Sequence, residues 1–146
     1  MVKVHISSVI DAPADRVWAA IRDFNALPKW HPAIKDSHIE GGLPADRVGC
    51  IRNFNLKDGG NIREQLLTLS DYDYTYTYSI LESPLGVRNY IATLKVTPIT
   101  DGNRTFAEWT AEFDCDPDKA QALADGIGNG VFQGGFDGLK RQFAGR

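Results

Sequence analysis

The 146-residue chain has only two cysteines, Cys50 and Cys115, and a single methionine. Two cysteines so far apart in sequence make no disulfide framework, and no Cys/His cluster has the spacing of a metal site. In a reducing compartment both are expected to be free, with Cys50 a small core residue. Basic runs are missing too. Lys and Arg total 16 against 19 acidic side chains, a net charge of −3 with a pI near 5.5. That balance argues against a dedicated nucleic-acid binder. Long apolar runs are lacking: the opening MVKVHISSVIDAP alternates and is broken by charge, unlike a signal peptide or a membrane span. A cytoplasmic protein without integral membrane association is therefore expected. No Ser/His/Asp or Cys/His arrangement and no phosphate loop after a strand is found, and no cofactor is expected. Repeats and low-complexity tracts are lacking as well. The length fits one domain, 1–146, with enough chain for a core and an internal cavity.

What is there is a clear alternation of patterns. Residues 2–9 alternate as a half-buried strand. Asp11-Ala12-Pro13 opens a helix whose stripe is Val17, Trp18, Ile21 and Phe24, and 27–30 add a short further turn. The spacing then predicts strands over 34–39, 47–56, 62–69, 72–81, 88–97 and 104–114, joined by short turns. Short turns between consecutive strands imply an antiparallel meander. Asp116-Pro117 begins a long C-terminal helix, with apolar residues at threes and fours from Ala120 through Ile127, Val131, Phe132, Phe136 and Leu139 to Phe143. Six glycines interrupt it between 126 and 138, each costing roughly 1 kcal/mol against Ala. Either the helix breaks near 126–130, or the missing side chains make room for a ligand or for close strand contact.

Alternate residues of a strand share a face. The faces directed at the helix read Val48, Cys50, Arg52, Phe54; Ile62, Glu64, Leu66, Thr68; Tyr72, Tyr74, Tyr76, Tyr78; Arg88, Tyr90, Ala92; and Thr105, Ala107, Trp109, Ala111, Phe113. Arg52 and Glu64 stand out on otherwise apolar faces. A buried lone charge is expensive, so the two should pair across the 57–60 turn or reach a solvated cavity. One reading is a cross-strand ion pair near the sheet edge; the other is a pair lining a pocket. The tyrosine hydroxyls imply either a wet cavity or an exposed edge. His31, in Trp30-His31-Pro32, reads as an ordinary surface loop residue, with a pH-tuned acid or base at a pocket mouth as the alternative. His5 and His38 read as structural.

The order of DAPADRVW (11–18), WHP (30–32), VGCIR (48–52), REQL (63–66), YTYSI (76–80), NY (89–90) and EW (108–109) resembles the START/Bet v 1-like superfamily. The most similar branch is the bacterial polyketide cyclase/dehydrase and lipid-transport group, with a distant likeness to the plant abscisic acid receptors. The resemblance implies an α+β helix-grip fold: a seven-stranded antiparallel sheet wrapped around the C-terminal helix, with two short helices after the first strand. It also implies an apolar cavity for lipids, sterols, polyketides or hormones. Arg52 and Glu64 match pocket positions of the receptor branch. The receptors' longer gate loop has no counterpart here, where only residues 57–61 separate the strands, which argues against hormone sensing.

The expected function is binding of a small hydrophobic or aromatic molecule by a monomer or homodimer. The expected cavity is lined by Phe54, Tyr76, Tyr78, Tyr90, Trp109 and Phe132, with Arg52 and Glu64 as its polar points. An alternative is a cyclase or dehydratase acting on such a molecule, in which Glu64, Tyr76, Tyr78 and Arg52 would supply a base and an enolate donor. A third is an interaction module with a filled core. Fold alone does not choose among these.

Overall fold

The computed structural model describes residues 1–144; the last two positions of the expected domain, 145 and 146, lie outside the described residues. Seven strands form one antiparallel sheet: β1 (Val2–Ile10), β2 (Ile34–Ile39), β3 (Ile51–Leu56), β4 (Asn61–Ser70), β5 (Thr75–Glu82), β6 (Arg88–Ile99) and β7 (Arg104–Asp114). Their order is β1-β7-β6-β5-β4-β3-β2, so the meander from β2 to β7 runs in sequence and β1 closes on β7. Helices α1 (Ala14–Ile21) and α2 (Leu27–Trp30) link β1 to β2. The stripe Ala14, Val17, Trp18, Ile21 is buried, as its spacing requires. Trp18 Nε1–H and Arg22 Nε–H each donate to Asp71 Oδ1 at 2.7 Å, which ties the end of α1 to the β4–β5 turn.

The C-terminal helix runs unbroken but changes its winding. A 3₁₀ turn (Pro117–Lys119) leads into α3 (Ala120–Asp125), then a π-helical stretch (Gly126–Phe132), then α4 (Gln133–Phe143). Asp116 precedes the first turn without capping it through its side chain. The π stretch closes i→i+5 bonds, so Ile127 and Phe132 fall on the buried face while Val131 turns outward to 39% exposure. Three glycines make close packing possible. A Cβ on Gly135 would stand 2.8 Å from the Trp109 ring and 2.9 Å from the His31 ring, and one on Gly138 would run into the Trp30 carbonyl oxygen. A Cβ on Gly128 would press on Val4 at 3.2 Å.

Several strand ends differ from the pattern. β3 begins at Ile51 and not at 47, because Gly49 takes a positive φ of 98° in a turn; Val48 is exposed. β5 begins at Thr75: Tyr74 has φ 54° and Tyr72 is 95% exposed, so the inward tyrosines start at Tyr76. Irregularities between Leu66 and Thr68, and between Arg88 and Ile91, turn Thr68 and Arg88 outward. Across β7 the alternation holds without a break, with Thr105, Ala107, Trp109, Ala111 and Phe113 all buried.

Candidate functional site

Arg52 and Glu64 stand directly opposite each other in the β3–β4 ladder. Arg52 Nε–H donates to Glu64 Oε1 at 2.8 Å, and Nη2 stands 2.7 Å from the same oxygen as an ion pair. Nη1–H donates to the Phe24 carbonyl at 3.1 Å. The guanidinium lies 3.9 Å from the Phe24 ring centre and 4.8 Å from that of Tyr78, in cation–π contact. Their exposures are only 1% and 5%, so the pair belongs to the interior, not to the sheet edge. Burial works against the Arg52 charge, but Glu64 and the phenol oxygens of Tyr76 and Tyr78 outweigh it and hold its pKa above the ordinary value. Burial pushes the Glu64 carboxyl up, and Arg52 draws it partly back.

His31 is buried at 2% exposure, where the sequence reading placed a surface loop residue. The reason is its place in the spacing Leu27, Trp30/His31, Ile34, which turns it onto α4. Its Nδ1 accepts from the Ala33 N–H at 3.2 Å, which fixes the proton on Nε2, and Nε2–H donates to the Val131 carbonyl at 2.7 Å. That carbonyl belongs to the π stretch. The ring is thus neutral, and burial depresses its pKa, with the Val131 carbonyl opposing and the nearby Arg52 charge assisting. Trp109 stacks on Phe132 with centroids 4.4 Å apart and planes at 10°, and its Nε1–H donates to the Tyr78 hydroxyl at 3.0 Å.

A cavity of about 80 Å³ opens between these groups. Its sheet wall includes Arg52, Phe54, Glu64, Tyr78, Tyr90 and Trp109, and its helix wall is Ile127 and Val131. Leu27, His31 and Ile34 close one side. Half-exposed Leu56 and Leu85, with Ala33 and Val131, form the outer rim. Six of the eight expected site residues therefore meet at one cavity. The other two do not reach it. Tyr76 packs behind, edge-on to Phe24 at 5.8 Å, and Phe132 lies beneath Trp109 in the core. The Tyr76 hydroxyl and Trp30 Nε1 are buried without hydrogen-bond partners. Sequence reasoning offered His31 at a pocket mouth only as the alternative to a surface loop residue, and it missed the aliphatic lining. The 27–30/31–34 periodicity was the available signal for the former; nothing distinguishes cavity aliphatics from core ones.

The curved sheet closed on a long C-terminal helix is the helix-grip fold of Bet v 1-like proteins. The ginseng major latex-like protein 151 from Panax ginseng shares it at a TM-score of 0.74, with 15% identity over 97% of both chains. This chain belongs to the polyketide cyclase / dehydrase and lipid transport family, whose profile matches residues 1–144. The solved protein XoxI from Bacillus cereus is similar over 99% of this chain and 97% of its own, at 30% identity and a TM-score of 0.88. The abscisic acid receptor PYL7 of Arabidopsis thaliana is 29% identical over 92 residues; that stretch is 61% of this chain and 42% of the receptor. Among the described residues no helix is long and apolar enough to cross a membrane.

Proposed function

We propose that this chain is a single-domain cytoplasmic binding protein that holds a small hydrophobic or aromatic molecule between the sheet and the C-terminal helix. The observation that carries this reading is the cavity itself: apolar and aromatic walls converge on a few polar groups, the pattern of a small-molecule site. At ~10–15 Å³ of such space per water, its volume of about 80 Å³ has room for about five to eight waters, or a one- or two-ring molecule. The family and the receptor likeness support ligand binding as the class of function. Catalysis on such a molecule is the second reading. An aldol or dehydration step needs a base free to take a proton. Of the lining's bases, His31 Nδ1 already accepts from the Ala33 N–H, whereas Glu64 is tied to Arg52 through Oε1. The acidic net charge of −3 supports a protein that acts without nucleic acid.

Titration with a neutral apolar fluorescent probe tests the proposal. Saturable one-to-one binding is expected, weakened at least fivefold in a folded Trp109→Leu variant. Native mass spectrometry of protein from its own host should show a co-purified small molecule. Absence of saturable binding to the wild type would leave an interaction module with a filled core.

A further inference from the structure

The polar groups of the cavity are not equivalent, and their hydrogen-bond accounts show what they can still accept. Arg52 is the only cation in the lining among the described residues, and its charge is already met by Glu64. Its Nε–H donates to Glu64 Oε1 and its Nη1–H to the Phe24 carbonyl, with Nη2 in ion-pair contact with the same Oε1. Phe24 and Tyr78 rings cover the guanidinium. A ligand carboxylate would have to displace Glu64 or sit beside it as a second buried anion, and like charges in one site disfavour ionisation. His31 offers no positive charge either: one ring nitrogen accepts from the Ala33 N–H and the other donates to the Val131 carbonyl.

The phenols differ. Trp109 Nε1–H donates into the Tyr78 oxygen, so the Tyr78 proton is left to donate. The Tyr90 ring lies beside that of Tyr78, centroids 6.5 Å apart, and both line the cavity. With its oxygen fed by Trp109, the Tyr78 O–H has no protein acceptor among the described residues. Burial raises both phenols above their ordinary pKa, so neither ionises near neutrality. The Tyr78 hydroxyl, fed by Trp109, is therefore a donor that faces an apolar space.

We propose that the cavity selects an uncharged ring compound bearing one carbonyl oxygen, which accepts from the Tyr78 hydroxyl beside Tyr90, and that it rejects the matching carboxylate. This inference rests on the binding reading above and narrows it to a ligand class. A neutral carbonyl satisfies the Tyr78 donor and leaves the Arg52–Glu64 pair undisturbed. A buried polar group left without a partner is disfavoured, so a pure hydrocarbon would serve the site less well.

Calorimetric titration at pH 7.5 compares 4-ethylacetophenone with its near-isostere 4-ethylbenzoate, following the Trp109 indole N–H resonance in parallel. The ketone should bind at least fivefold more tightly than the benzoate. In Glu64→Gln, where Arg52 loses its counter-ion, benzoate affinity should rise at least tenfold while ketone affinity does not. If that variant fails to fold, the wild-type ratio decides alone. A ratio under fivefold, or tighter benzoate binding, overturns the neutral-carbonyl inference and leaves the binding reading intact. Failure of both compounds in a protein that binds the fluorescent probe also overturns it. Failure of all three ligands removes the binding reading with it.

Discussion

Arg52 shows how a single residue can be both costly and fixed in place. A full charge at 1% exposure is tolerable because Glu64, the Phe24 carbonyl and two aromatic rings surround it. Breaking a buried pair by removing one partner typically costs about 3–5 kcal/mol, because the other charge stays behind unpaired. Glu64→Ala is therefore expected to lose about that much in urea unfolding. Replacing both partners by apolar residues of similar volume, Arg52→Met with Glu64→Leu, is expected to come within about 1–2 kcal/mol of wild type. A double variant whose loss equals the sum of the single losses would show that the two side chains are not coupled.

Within the C-terminal helix the glycines divide by what surrounds them. Gly135 and Gly138 face the Trp109, His31 and Trp30 atoms described above, whereas nothing stands within 4 Å of a Cβ built on Gly126 or Gly130. Gly126→Ala and Gly130→Ala should each raise stability by roughly 0.5–1 kcal/mol, the helix-propensity gain of Ala over Gly. Gly135→Ala and Gly138→Ala should each lower it by about 1–3 kcal/mol through overpacking. Thermal melts of the four variants check the division; equal shifts of one sign would remove it. Of the sequence alternatives for these glycines, close contact holds at 128, 135 and 138, whereas the expected break near 126–130 is instead a change of winding over 126–132, which periodicity could not foresee. A π stretch moves the buried face by one residue, and this is why Val131, inward in the sequence pattern, stands at the cavity rim at 39% exposure. The same limit applied to β5, where alternation ran on through Tyr72 and Tyr74 because a positive-φ tyrosine leaves no compositional mark. Trp109, Arg52 and Glu64 were legible because strand alternation is rigid and their neighbours are unambiguous. Tyr76 and Phe132 share faces with cavity residues, and only depth, which a one-dimensional pattern does not carry, separates core from lining.

At the scale of the whole molecule, buried neutral His31 links the helix to the sheet's concave side and makes stability depend on pH. Burial lowers its folded pKa below 6.5, the value it regains when unfolded. Between those two values the unfolded chain binds more protons, so stability is intact above about pH 6.5 and declines as pH falls below it. Glu40 adds a second decline at lower pH. Its carboxylate accepts Arg63 Nε–H and Nη2–H at 2.7 and 2.8 Å, and these bonds, with Asn53 assisting, hold it at about 2 against 4.5 unfolded. Stability present above pH 4.5 is lost as pH drops toward 2. Glu64 runs the opposite way. Burial raises it despite Arg52, so over its window the fold takes up the proton first and acid favours the folded state. The two descending steps should still separate in a calorimetric series from pH 8 to 3. His31→Gln, which cannot titrate, should lose the step that begins near pH 6.5 and keep the lower one, and Glu40→Gln should do the reverse. A wild-type melting temperature that stays constant from pH 7 to 5 would mean that the folded protein protonates His31 at Nδ1 as readily as the unfolded chain does, and that the Ala33 N–H does not hold that nitrogen.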